Sequence, residues 1–228
     1  MPRNLTTARA LGNGEVECSM TPRAVWVALY AIAMAVVEAA VVVYLRAIAP
    51  AEGPLAVLQT VLPQPIIPVE LVREAATLVM LLAVAFLAAE TAWPRFLYFA
   101  LAFGVWDLFY YIWLYVFIGW PPSLLTWDVL FLIPVPWIAP VLAPMVVSIG
   151  LIAGALWLLG RPVLPRTSWA IALAGAGLIL LSFTLDSRDV LNNGAAPHFR
   201  WGLFASGVGL GVVAMIAGGQ QRRSVTVS

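Results

Sequence analysis

The chain has no lysine, one cysteine, one histidine and few charges of either sign. Its 228 residues are 10% charged and 63% hydrophobic, with a mean hydropathy of +0.97. A soluble domain averages about 25% charged residues, so an ordinary soluble domain is excluded. Twelve basic residues, all arginine, against eleven acids leave a net charge of +1. No basic patch exists to follow a phosphate backbone, so nucleic acid is not an expected partner. The lack of lysine beside abundant Arg, Ala, Gly and Pro fits GC-rich codons and a prokaryotic source. The lone Cys18 excludes an intrachain disulfide and a multi-cysteine metal site. The lone His198 cannot bind two haems axially or complete a three-histidine zinc site. With Asp186, Arg188, Asp189 and Arg200 nearby, it reads as a solvated loop residue. There is no P-loop, HExxH, nucleophile elbow or Ser–His–Asp arrangement. The stretch "SGVGLG" echoes a dinucleotide loop but lies inside an apolar run with no strand before it. The sequence thus carries no haem, zinc or nucleotide signature. Only oxygen ligation of a hard cation stays open to its carboxylates.

What the chain does have is apolar sequence in long runs. Six segments, at about 22–46, 68–91, 94–118, 124–159, 168–185 and 199–219, meet the roughly 20-residue requirement for crossing a bilayer. The fourth is too long for one span and holds Pro134, Pro136, Pro140 and Pro144. Interior prolines remove a helical hydrogen bond and break the helix. A short piece near Trp127 to Ile133, a break and then a full span are expected there. Broken backbone at membrane depth is tolerated only under a cover of protein or beside a water-filled cavity. The expected fold is an all-α integral membrane protein: a six-helix transmembrane bundle with a Pro-broken fourth segment. One transmembrane domain, 22–219, is flanked by polar tails, 1–21 and 220–228. The first tail lacks a signal-peptide apolar region, so the first span is expected to be retained. A short interfacial helix is expected near Leu55 to Leu62. With six spans, one side carries Arg3, Arg9, Arg23, Arg95, Arg161, Arg166, Arg222 and Arg223, and the other Arg46, Arg188 and Arg200. Eight against three places both termini in the cytoplasm and the protein in the cytoplasmic (inner) membrane as a multi-pass protein.

The ionisable residues inside these spans are not scattered. Tyr30, Met34 and Glu38 are four apart on the first, with Arg46 two turns further on. Glu70, Arg73, Glu74 and Thr77 follow the spacing of one helix face on the second, and Asp107, Tyr110, Tyr111 and Leu114 repeat it on the third. Asp128 opens the broken fourth segment. A centred acid costs about 2.5–3.5 kcal/mol on insertion scales, so such residues face the bundle interior. One polar pocket, open to the outside or lidded by the outer loops, is therefore expected from Glu38, Arg46, Glu70, Arg73, Glu74, Asp107 and Asp128. Five acids against two arginines leaves an excess of carboxyls, some of them expected to be protonated. The alternative is a self-neutralising ion-pair network that fixes helix register.

Trp106, Tyr110 and Tyr111 lie too deep for an interfacial belt and are candidate pocket aromatics, suited to a cation. Trp120 and Trp127 fit the interface. The pairs Gly150/Gly154 and Gly207/Gly211, with Gly175 and Gly177, suggest close packing of the last three spans. Three functional readings follow. The first is proton- or cation-coupled transport of a small solute, with the carboxylates as coupling site and the broken segment as gate. The second is an accessory or assembly subunit of a larger membrane complex. The third is an intramembrane enzyme using a protonated carboxyl as general acid on a lipid or isoprenoid. Expected partners are membrane lipid and either a second copy of the chain or a membrane complex.

Overall fold

The computed structural model describes residues 22–48, 67–185, 187 and 198–220. The elements within them are, in order, α1 (Pro22–Ile48), α2 (Ile67–Ala88), α3 (Ala92–Ile118), β1 (Trp127–Phe131), β2 (Trp137–Pro140), α4 (Leu142–Leu158), α5 (Arg166–Thr184) and α6 (Trp201–Gln220). All of these helices except α4 are long and apolar enough to cross a membrane. The 17 residues of α4 reach only about 25 Å at 1.5 Å per residue. The tails, the expected helix near Leu55 to Leu62 and most of the segment between α5 and α6 lie outside the described residues.

Local sequence explains the helix ends. Pro22, Pro68 and Pro94 fall in the first turns of α1, α2 and α3, where a missing N–H costs nothing. Gly119 ends α3 in the left-handed region (φ 66°), its N–H bonded to the Tyr115 carbonyl at 2.9 Å. Glycine takes that conformation without a Cβ clash, and Pro121 and Pro122 cannot continue the helix.

The front of the fourth apolar segment differs from the expected break in a helix. It is an antiparallel hairpin that pairs Trp127 with Pro140, Asp128 with Ala139, Val129 with Ile138 and Phe131 with Trp137, with a bulge between Val129 and Phe131. Three prolines within seven residues deny a helix its bonds, while the aromatic and β-branched residues between them favour a pleated strand. Pro140 closes the ladder on an edge strand, where its missing N–H is tolerated. The Val141 N–H reaches the Thr126 carbonyl at 2.9 Å and the Leu142 N–H the Leu124 carbonyl at 2.8 Å. The hairpin thereby leads directly into α4.

The core lies among α1, α2 and α3. Ala24, Ala31 and Ala35 on α1 are fully buried, and with Leu81, Ala85 and Leu101 they form its centre. Small side chains let these helices approach closely. Gly104 serves the same end between α3 and α4: a Cβ there would fall 2.7 Å from the Ser148 carbonyl oxygen. The α5–α6 pair meets the hairpin through an aromatic cluster. Trp137 lies 6.5 Å from Phe183, which lies 6.1 Å from Phe199 and 6.0 Å from Phe204.

The small-residue signals separate in the structure. Gly150 and Gly177 face open space, and Gly154 meets only Met215 Sδ, at 3.4 Å from a would-be Cβ. The close crossing is between Gly175 and Gly207, where a Cβ on either would fall 2.7 Å from the other's carbonyl oxygen. Gly175→Ala and Gly207→Ala should each destabilise the protein by about 1–3 kcal/mol through backbone overpacking. Gly177→Ala should be neutral or slightly stabilising, since helical alanine is favoured over glycine by about 1 kcal/mol. Thermal unfolding of the three variants in detergent checks this. Equal loss in all three would show that the Gly175–Gly207 crossing has no special tightness.

Candidate functional site

Helical spacing and a hairpin bring the buried charges to one place. Glu70, Arg73, Glu74 and Thr77 occupy one face of α2, and Glu70, Glu74 and Thr77 are buried. The α1 face opposite presents Glu38, with Arg46 two turns on. Tyr30 and Met34, on the near side of Glu38, pack into the apolar core instead. The α3 face contributes Trp106, Asp107, Tyr110 and Tyr111, and β1 contributes Asp128. All ten of these charged and aromatic residues line a single cavity of about 340 Å³. Apart from Thr77, the remainder of its wall is apolar, including Val42, Leu45, Leu71 and hairpin residues Val129 to Leu132.

The polar contacts link elements that are distant in the chain. The Arg73 guanidinium pairs with Glu38 on α1 and, from Nε at 2.8 Å, with Glu70 on its own helix. The Thr77 hydroxyl donates to the other oxygen of Glu38. The Leu132 backbone N–H donates to both Glu74 oxygens, at 3.0 Å each. That contact clasps the hairpin to α2. Ser148 Oγ on α4 donates to Asp107 Oδ2 at 2.6 Å, and the Tyr111 hydroxyl donates to Asp128 Oδ2 at 3.0 Å. Arg46 stacks over the Trp120 ring, 4.1 Å from its centroid. Trp120 thus covers a charge rather than only anchoring an interface, and its ring centre is 6.2 Å from that of Tyr111. Trp127 packs edge-on against Phe199.

Two donors in this wall have no acceptor among the described residues: Arg46 Nε and the Trp106 indole N–H. No group of three or more His, Cys, Asp or Glu side chains among the described residues is arranged to hold a metal ion. His198 is exposed. Ser148 and the Leu132 N–H were not among the residues singled out from sequence. Ser148 could have been, as a lone hydroxyl inside an apolar segment. A backbone donor carries no side-chain signal.

Comparison with known proteins gave no relative: no family model, no curated protein and no solved structure matches the chain. The geometry alone therefore carries the functional argument.

The clasp makes a prediction. The turn Leu132–Pro136 contains two prolines, so it has few backbone bonds of its own, and Glu74 meets its leading N–H. Glu74→Ala should cost about 1–3 kcal/mol, because a buried donor loses its acceptor. Glu74→Gln keeps a carbonyl oxygen and should cost less. Hydrogen exchange at Leu132 should quicken in the alanine variant and change little in the glutamine one. Unchanged exchange in Glu74→Ala would mean that the ladder alone holds the hairpin.

Proposed function

We propose that this chain is a multi-pass protein of a prokaryotic cytoplasmic membrane, with both termini on the cytoplasmic side, and that its cavity couples proton or cation movement to transport of a small solute. The long apolar helices and the arginine asymmetry of the connections support the membrane placement. A 17-residue α4 continued at its start by the hairpin is compatible with that placement. Non-helical backbone there is acceptable where protein or a cavity covers it, and this hairpin forms one wall of a cavity.

The observation that carries the coupling role is the convergence of five acids from four elements on unfilled space. Ionisable residues inside a membrane bundle mark ion and proton pathways by default. Irregular backbone beside them is a recurring feature of transporter sites. The hairpin would then be the movable wall.

One observation favours a second reading, that of an accessory subunit in a larger membrane complex. Every one of the five acids already has a hydrogen-bonding partner in the chain. Such a network can serve only to fix helix positions.

Reconstitution separates the two. The protein in sealed liposomes should dissipate an imposed proton or sodium gradient when deproteinised cell extract is added as a source of solutes. Asp107→Asn and Glu74→Gln should reduce that flux to the level of empty liposomes while the protein remains folded. Flux from the wild type no greater than from empty liposomes, with a stoichiometric protein partner retained on purification, would replace transport by the accessory role.

A further inference from the structure

A second group of side chains gathers at the end of the bundle away from the hairpin, where α2 gives way to α3 and α4 to α5. The Trp93 indole N–H, at the start of α3, donates to the Arg161 carbonyl in the α4–α5 turn at 3.0 Å. The Trp93 ring meets Trp169 of α5 edge-on, with centroids 5.8 Å apart, and Phe96 lies 5.2 Å from Trp169. The Arg161 backbone is thus anchored, and its guanidinium lies over the Trp157 ring, 4.0 Å from the centroid. Arg166 opens α5 and is exposed. Residues three apart on a helix share a face, so Arg166 stands with Trp169 on the side of α5 that meets α3.

Charge at this end is largely of one sign. Among the described residues, Arg23, Arg95, Arg161 and Arg166 lie there against one acid, Glu90. The ion pairs among those residues belong to Arg73, so none of these four arginines is matched to a described carboxylate. Arg95 is turned toward α2, over the Phe86 ring. Arg161 and Arg166 flank the ring cluster, and the arginine fork matches the oxygens of a phosphate. Past Trp169 the same face of α5 continues through Leu173, Ala176 and Leu180, all exposed. Tryptophans and cytoplasmic arginines are common at membrane interfaces. Here rings from two helices pack on one another and fix the backbone of one arginine, which sets a place as well as a charge.

We propose that this side of α5 binds an anionic phospholipid, its phosphate held by Arg161 and Arg166 and an acyl chain laid along Leu173, Ala176 and Leu180. Charge complementarity selects the occupant, because unmatched arginines at a membrane surface attract anionic headgroups. The apolar face that continues from the arginines selects a lipid over free phosphate. From Arg166 to Leu180 the helix rises about 21 Å, enough to line the roughly 15 Å of hydrocarbon in one leaflet. The inference rests on the membrane placement proposed above and not on transport.

The test is native mass spectrometry of the full chain in detergent, titrated with dioleoyl-phosphatidylglycerol, dioleoyl-phosphatidylcholine or inorganic phosphate. Phosphatidylglycerol should bind at least about ten-fold more tightly than phosphatidylcholine, as for two arginine contacts at a membrane surface. Inorganic phosphate should neither bind nor compete. Arg161→Gln with Arg166→Gln should abolish the preference. Arg23→Gln, on α1 and outside the ring cluster, should keep it. Thermal melting checks folding; if the double variant does not fold, Arg166→Gln alone should cut the preference about five-fold. Equal binding of the two lipids, phosphate binding as tight as phosphatidylglycerol, wild-type preference in the folded arginine variant, or equal loss in Arg23→Gln would overturn the inference. Flotation of the protein with phosphatidylcholine liposomes tests the membrane placement separately. A protein that floats but shows no anionic preference keeps that placement and loses this site. A protein that does not float loses both.

Discussion

Arg73 touches two of the five buried acids, and the arrangement of α1, α2 and the cavity depends on that sharing. A carboxyl in an apolar bundle is costly, and the cost falls only where a donor meets it. Arg73 can reach Glu70 within its own helix because the two are one turn apart. It can reach Glu38 only if α1 turns its single acidic position toward α2. This fixes the rotation of α1. The fully buried alanines at 24, 31 and 35 then face the core, where their small size lets the helices close on one another. Packing and electrostatics therefore specify the same rotation from opposite ends of the helix, a consistency expected of a uniquely folding sequence.

The hairpin follows from the same constraint. A straight helix in place of β1 and β2 would satisfy its own backbone. A two-stranded ribbon cannot: both strands are edges, and the proline-rich turn leaves N–H groups pointing at neighbours. The acidic face of α2 supplies the acceptor, through Glu74. The prolines that forbid a helix thus create the need that one of the acids meets. The cavity is the space between helices α1 to α3 and a strand pair that does not fill the volume a helix would.

The helices were legible in the sequence because long apolar runs bounded by Pro, Gly and Arg leave little choice. The convergence of Glu70, Arg73, Glu74 and Thr77 was legible from 3.6-residue periodicity, and the cost of buried charge argued that Glu38, Asp107 and Asp128 would join them. The hairpin was not legible. Four prolines announced a break in the fourth segment, but a break does not say what replaces the helix. Periodicity is uninformative over a run as short as the five residues Trp127–Phe131, four of them apolar. Nor could the partners be read. Ser148, Trp120 and the Leu132 N–H are placed by tertiary packing, and only the first bears a polar side chain that stands out from its surroundings. The glycine pairs misled in part, since GxxxG spacing is common in apolar helices: Gly207 makes a close crossing, with Gly175, whereas Gly150 faces open space.

The contacts divide the acids by what they already hold. Glu38, Glu70 and Glu74 are matched to Arg73, Thr77 and the Leu132 N–H, and removing any of them would strand a donor. A network that served only to fix helix positions would be expected to extend this matching to every member, because a partly satisfied buried network is less stable than an apolar core of the same shape. It does not extend so far here. Arg46 Nε and the Trp106 N–H lack acceptors among the described residues, while Asp107 has a single neutral donor. The same shortfall recurs outside the cavity, at the indole N–H groups of Trp113 and Trp137, so an unmet indole donor does not by itself mark a binding site.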